Sequence, residues 1–326
     1  MAPPYSANST AEELTTDYAG EIKGKTVLIT GVSPGGLGAV FATSIVAAEP
    51  AMLILAGRNT AKTKQTADAI TEAHKSVPVR VLELDLGSLA KVRAAAKVVM
   101  GWSDIPTIDV LVNNAGIMAV EFGVSPEGFE SQLATNHLGP FLFTNLIMGK
   151  ILASSSPRVV VVSSDGHRLN PIRFDDYGFS KGETYNKWHA YGQSKTANML
   201  MALSLAEKLA SKGLLAFSLH PGVIGTNLGA HIDWAVDFPS LQAVDRAFGN
   251  AEGWKEFIFR APQAGAATHV YAAFDPKLKD HNGAYLLDCR LANPWKDTVK
   301  PWATSRIDAE RLWKLSEKLV GETFSY

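Results

Sequence analysis

Residues 26–38 read Thr26-Val27-Leu28-Ile29-Thr30-Gly31-Val32-Ser33-Pro34-Gly35-Gly36-Leu37-Gly38. The first five are apolar or β-branched and suit a buried strand. The glycines let the backbone turn tightly and lie close to a pyrophosphate. A helical pattern, residues 39–48, follows, and its N-terminus offers free N–H groups and a positive dipole end to an anion. Strand, glycine loop and helix together are the context required of a dinucleotide-binding turn. Gly24-Lys25-Thr26 looks like the end of a P-loop. It precedes the strand, however, and position 19, where that motif needs glycine, is alanine, so an ATPase reading is discarded.

Outward from this loop, short apolar runs recur at 52–56, 79–84, 110–112, 159–162, 214–219 and 284–287. Continuous rather than alternating apolarity implies strands covered on both faces. Helical patterns at 61–74, 89–100, 128–152, 190–211 and 263–273 separate them. The alternation predicts an α/β fold: a Rossmann-type doubly wound parallel sheet of about seven strands with helices on both faces. Ser125-Pro126 reads as an N-cap with proline at the first helical position, and Pro140 should kink the long helix that follows. Ser305 and Asp308 have capping-box spacing, and Leu312, Leu315 and Leu319 line one face of a final helix that Gly321 ends. Residues 1–20 read as an irregular arm with a short helix around 11–15. Residues 21–326 read as one domain with an insert at about 227–262.

Composition narrows the function classes. The 326 residues carry 31 Lys+Arg against 32 Asp+Glu, a net charge of −1 without the basic footprint of a nucleic-acid binder. The 46% apolar content is that of a globular protein. The single cysteine, Cys289, excludes an intrachain disulfide. No apolar run approaches the ~18 residues of a membrane span, and the N-terminus has no signal-like apolar core. A cytoplasmic protein is the expectation. The eight histidines show no metal-ligand spacing, and no Gly-x-Ser-x-Gly occurs.

The second strand runs into Gly57-Arg58-Asn59, and no acid stands between Met52 and Lys62. An NAD site would want one there for the ribose hydroxyls. Arg58 offers a permanently charged fork for a 2′-phosphate, which favours NADP(H), although an ordinary surface arginine reads the same way. Further on, Tyr191-Gly192-Gln193-Ser194-Lys195 opens a helix, and the spacing of four puts Tyr191 and Lys195 on one face. An ammonium beside a phenol favours the phenolate, and a tyrosine so tuned serves as general acid or base. By itself the pair equally suits an amphipathic helix with a snorkelling lysine.

With these residues in place, the chain resembles the short-chain dehydrogenase/reductase family from about Ile22 to Phe324. Asn113-Asn114-Ala115-Gly116 matches its strand-four motif. Asp85-Leu86 stands where the family contacts adenine, Asn136 at its active-site asparagine, Ser163-Ser164 at its catalytic serine. His220-Pro221-Gly222-Val223 and Thr226 resemble its segment beside the nicotinamide. The Ala56-Gly57-Arg58-Asn59 turn, the long insert before Tyr191 and the Leu312–Phe324 tail are most similar to retinol-dehydrogenase-like and WW-domain-oxidoreductase-like members. The glycine loop is one residue longer than the family's usual pattern.

The resemblance implies an NADPH-dependent oxidoreductase that reduces a ketone or aldehyde, reversibly. Tyr191 would be the proton donor, Ser164 would stabilise the carbonyl oxygen, Lys195 would tune Tyr191 and hold the nicotinamide ribose, and Asn136 would anchor a proton-relaying water. NADP(H) would lie on Gly31, Ser33, Gly36, Leu37, Gly38, Arg58, Asp85, Leu86, Asn113, Ala115 and Gly116. Tyr191, Lys195, Pro221, Gly222, Val223 and Thr226 would complete that site. The insert at about 227–262 corresponds to the family's substrate lid, and its aromatics favour an apolar or aromatic substrate or pack the lid onto the body. Trp188, His189, Trp234 and Phe238 are the candidate substrate contacts. Family members often pair through the helices that carry Asn136 and Tyr191, so a homodimer is open, with the tail able to cover that face. The alternative function is a non-catalytic NADP(H)-binding regulator or scaffold on the same fold.

Overall fold

A computed structural model describes residues 5–251 and 253–326. The strands are β1 (Thr26–Thr30), β2 (Met52–Gly57), β3 (Val79–Glu83), β4 (Val110–Asn113), β5 (Arg158–Val162), β6 (Leu215–His220), β7 (Val223–Ile224), β8 (Phe259–Arg260), β9 (Tyr285–Leu287) and β10 (Arg290–Leu291). Eight form one sheet in the order β3-β2-β1-β4-β5-β6-β9-β10, all parallel except β10. The direction of winding reverses between β1 and β4, and ligands bind in the crevice outside the carboxyl ends at such a switch point. The eighth strand, absent from the sequence reading, has only two residues, too few for a periodic signal.

Alternate residues of each strand feed opposite cores, which explains the unbroken apolar runs. Val27, Ile29, Leu53, Leu55, Val110, Val112 and Val160 pack on one side. Leu28, Ile54, Leu111, Val159 and Val161 pack on the other. The first side is covered by α3 (Leu37–Ile45) and α11 (Pro262–Phe274), with α1 (Ala11–Asp17) and α2 (Ala19–Ile22) outside them. Thr10 and Glu13 close a capping box on α1, and Leu14 and Ile22 are fully buried, so the N-terminal arm is packed into the domain. The helix α4 (Thr60–Ala73) contacts β2 and β3. The second side is covered by α5 (Leu89–Gly101), α7 (Gly139–Leu146), α9 (Lys187–Leu209) and α12 (Arg306–Val320).

The stretch expected as one helix from 128 to 152 is broken. Ser125 caps a turn rather than a helix: its Oγ accepts from Phe129 N–H at 3.3 Å, and Gly128 N–H returns to the Ser125 carbonyl at 2.9 Å. The helix begins with α6 (Ser131–Leu133), where the Glu130 carboxylate accepts from the Gln132 and Leu133 N–H groups. A π-helical turn, Ala134–Leu138, follows, then α7 and α8 (Met148–Leu152). Pro140 lies in the first turn of α7. The distortion falls one turn earlier than the proline because the Pro140 ring and missing N–H act on the carbonyl of residue i−4, Asn136. The region 227–262, set apart in the sequence as an insert, carries α10 (Trp234–Ala247) with Pro239 inside it.

Candidate active site

The glycine loop leaves β1 at its carboxyl end. Gly31 has φ +75° and a Cβ there would lie 2.7 Å from the Ala115 Cα, so only glycine fits. At Gly38 a Cβ would meet the Gly31 carbonyl oxygen at 2.6 Å. The extra residue is absorbed in a turn across Ser33-Pro34-Gly35-Gly36, with Gly35 at φ +78° and Gly36 N–H donating to the Ser33 carbonyl at 3.0 Å. Gly36 caps α3 without a side-chain acceptor, which leaves the first N–H groups of the helix for an anion. Asn114 clamps the loop: its Nδ2 donates to the Thr30 and Gly31 carbonyls at 2.9 and 3.0 Å, and its Oδ1 faces His269 Nε2 at 3.2 Å. The sequence reading gave Asn114 no role, because its partners are carbonyls, invisible in a sequence.

One cavity of about 700 Å³ runs from this loop across the carboxyl edge of the sheet. Its nucleotide end is lined by Gly31, Ser33, Gly36 and Leu37, by Arg58, Asn59 and Lys62 after β2, and by Asp85 and Leu86 after β3. Arg58 is exposed and makes no hydrogen bond or ion pair among the described residues. Ala115 and Gly116 form the floor; Pro221, Gly222, Val223 and Thr226 form one wall. Gly38 and Asn113 stand outside the lining. Gly38 seats α3, and Asn113 is buried with its Nδ2 donating to Thr144 Oγ1 at 2.9 Å.

Ser164, Tyr191 and Lys195 meet in the middle of the cavity. α9 starts at the Asn186 cap, so Tyr191 and Lys195 fall on consecutive turns facing the sheet. Ser163 donates its hydroxyl to the Lys195 carbonyl at 2.7 Å, while Ser164 is hydrogen-bonded to the Tyr191 phenol. Gly166 lets the two approach: a Cβ there would be 2.6 Å from the Tyr191 ring and 3.2 Å from Ser164 Oγ. Burial pushes the Tyr191 phenol up to about 12, and the hydrogen bond with Ser164 opposes that rise. Burial pushes the Lys195 ammonium down to about 8. Its Nζ donates to the Val162 carbonyl at 3.2 Å and stands 5.7 Å from the Tyr191 ring centre.

Asn136 sits in the π-helical turn, outside the cavity lining. Its Oδ1 accepts from Ile117 N–H at 2.8 Å; its Nδ2 donates to the Ile117 carbonyl and to Ser194 Oγ, both at 2.9 Å. The side chain is therefore fully committed. A Cβ at Gly116 would lie 3.1 Å from Asn136 Oδ1 and 3.5 Å from Lys195 Nζ, so both close on the same glycine.

The far end of the cavity is aromatic and apolar. Trp188, Trp234, Trp254, Phe257 and Phe259 line it with Leu169, Leu241 and Met118. Trp188 and Trp234 meet at a tilt of 30° with ring centres 6.1 Å apart, and Trp234 meets Phe257 edge-on at 5.1 Å. Phe238 and His189, named from the sequence as substrate contacts, do not line it. Phe238 packs on Phe257 at 5.2 Å and His189 on Phe248 at 5.4 Å. Trp254, Phe257 and Phe259 belong to the wall instead; aromatic content marked the segment, but not which rings turn inward. Among the described residues no helix is long and apolar enough to cross a membrane, and no cluster of three or more metal-ligating side chains occurs.

Residues 25–235 match the family model described as short chain dehydrogenase. The chain belongs to the short-chain dehydrogenase family. This short-chain dehydrogenase is 35% identical over 312 residues to "Retinol dehydrogenase 14" of Mus musculus, covering 93% of the chain and 87% of that protein. It is 37% identical over 329 residues to "Short-chain dehydrogenase/reductase prx1" of Penicillium rubens, covering 97% and 92%. A solved structure described as a putative uncharacterized protein from Mycobacterium paratuberculosis superposes with TM-score 0.71 at 30% identity, covering 98% of the chain and 100% of that one. Within the family the chain falls in the classical, retinol-dehydrogenase-like subgroup of oxidoreductases.

Proposed function

We propose that the protein is an NADPH-dependent carbonyl reductase, reversible as an alcohol dehydrogenase, acting on an apolar or aromatic ketone or aldehyde. The observation that carries this reading is one continuous cavity. It joins a glycine cradle, an unpaired Arg58, the Tyr191–Ser164–Lys195 cluster and an aromatic wall. The cradle fits a pyrophosphate because glycine is sterically required at Gly31 and Gly38. Arg58, with Lys62 beside it, suits a 2′-phosphate. When bound, the dinucleotide supplies the hydride at nicotinamide C4.

The remaining chemistry belongs to the chain. Tyr191, held protonated by its burial, donates its proton to the carbonyl oxygen as negative charge develops there. The Ser164 hydroxyl hydrogen-bonds the same oxygen and stabilises that charge. Lys195 holds the nicotinamide ribose and hands a proton back to Tyr191. The Asn136 side chain is spent on Ile117 and Ser194, so its main-chain carbonyl, to which Pro140 returns no N–H, holds the relaying water.

The test pairs a titration of tryptophan fluorescence by NADPH and NADH with a panel of carbonyls read at the nicotinamide absorbance. Tighter binding of NADPH, turnover of apolar carbonyls, and loss of that turnover in Tyr191→Phe with NADPH affinity retained are the expected results. Turnover retained in Tyr191→Phe would end the proposal. Tight binding with no turnover across the panel would transfer weight to a non-catalytic NADP(H)-binding regulator.

A further inference from the structure

A buried ion pair outside the catalytic cluster joins the insert to the serine turn. Arg168 lies in the 3₁₀ turn Asp165–Leu169, which begins one residue after Ser164. Its Nε and Nη2 fork onto the two carboxylate oxygens of Asp245 at 2.6 and 2.7 Å. Asp245 belongs to α10 and its side chain is fully buried. The third guanidinium nitrogen, Nη1, donates to Asp165 at 3.2 Å. The guanidinium carbon sits over Trp254, 4.5 Å from its ring centre, and Trp254 is part of the aromatic wall. Asp165 N–H in turn donates to His220 Nδ1 at 3.1 Å.

Asn250 Nδ2 also donates to Asp245 Oδ1, and Lys187 reaches Asp237 on the same helix at 2.5 Å. A fully buried carboxylate is costly unless matched, and only a planar fork with a stackable face satisfies Asp245, Asp165 and Trp254 together. Lysine cannot reproduce that geometry.

We infer that Arg168 is a positioning residue that latches the α10 insert shut and ties its closure to the turn that presents Ser164. A substrate pressing on Trp254 presses on the face of the same guanidinium that holds Asp245 and Asp165. Closing the insert and setting the serine are then one event.

The kinetic arm of the test rests on the reductase reading, and the structural arm does not. Arg168→Lys, Asp245→Asn and the double variant Arg168→Met with Asp245→Leu are compared with wild type by thermal melting, limited proteolysis and NADPH titration. Cleavage within 230–260 is expected to quicken about tenfold or more in folded variants, with NADPH affinity within about twofold of wild type. In turnover, KM for the carbonyl should rise by a similar factor and kcat should fall with it. If a single variant does not fold, the double variant, which leaves neither Arg168 nor Asp245 as an unpaired buried charge, decides the question. A folded variant with wild-type proteolysis overturns the latch whatever the protein's activity. Faster proteolysis with unchanged KM and kcat overturns its link to Ser164. A wild type without turnover defeats the reductase reading and leaves the proteolysis result to decide the latch.

Discussion

Single residues carry the chemistry, and their environments predict its pH dependence. Burial places Lys195 near 8 in the folded chain against an ordinary value of about 10.5. It is therefore charged below about pH 8 and neutral above. For reduction, kcat/KM should fall as pH rises through that value, and Lys195→Met should lose most of the activity together with this inflection. Tyr191 adds no inflection there, because it holds its proton to about 12. Arg58→Ala should cut NADPH affinity by about tenfold or more and leave NADH binding nearly unchanged, read by the same fluorescence titration. Tyr191, Lys195 and Arg58 were legible in the sequence because spacing within one helix, or position after one strand, marks them. Arg168 and Asp245 were not, since 77 residues separate them and only the tertiary fold makes them a pair.

At the scale of elements, the π-helical turn is the feature with a testable consequence. Pro140→Ala restores an N–H that pairs with the Asn136 carbonyl and regularises the helix. Thermal stability should rise or hold, while kcat falls about tenfold or more with NADPH affinity unchanged, because the water site is closed. Equal kcat in a stable Pro140→Ala variant would remove Asn136 from the relay. The parallel strands were readable because β1, β2, β4 and β5 are apolar or buried on both faces, while β3, at the edge, admits Arg80 and Glu83 within an otherwise apolar run. The helix α10 was hidden by Pro239, and the start of α6 by Ser125-Pro126. That pair carries helix-start chemistry but is used for a turn, while Glu130 supplies the cap. Local signals of this kind name a cap without saying what is capped.

Across the whole molecule, buried neutral histidines set acid tolerance. Burial lowers His137 to about 3 and His269 to about 4, and lowers His167 and His220 as well. The unfolded chain takes up protons near 6.5 where the folded one does not, so stability is full above that pH and declines as pH falls toward 4. The shift at His269 alone is on the order of 3 kcal/mol. Thermal melts from pH 7.5 to 4.5 should show it, with a shallower decline in His269→Gln. The α12 helix and the residues after it cover the outer face of α9 and of Phe141 in α7. Trp313 and Phe324 pack edge-on against Phe141 at 4.9 and 5.7 Å, and Arg93 donates to the Val320 carbonyl at 2.8 Å. A monomer of 35.0 kDa is the expected species in light scattering, and twice that mass would contradict it.

The insert is rooted in a two-stranded sheet of its own, apart from the eight-stranded one. The strands β7 and β8 pair in parallel, Val223 with Phe259 and Ile224 with Arg260, and Arg260 is fastened to Asp288 at 2.5 Å. Both ends of the insert are thereby stitched together at its root, before the chain enters α11. The segment between them is a cartridge: its length and lining can be exchanged while the stitched root and the eight-stranded sheet keep their register. Grafting another chain's 225–258 equivalent onto this root should change which carbonyl is accepted and leave the nucleotide preference where Arg58 set it. Diversification of substrate in such a protein needs only one segment replaced, not a new scaffold.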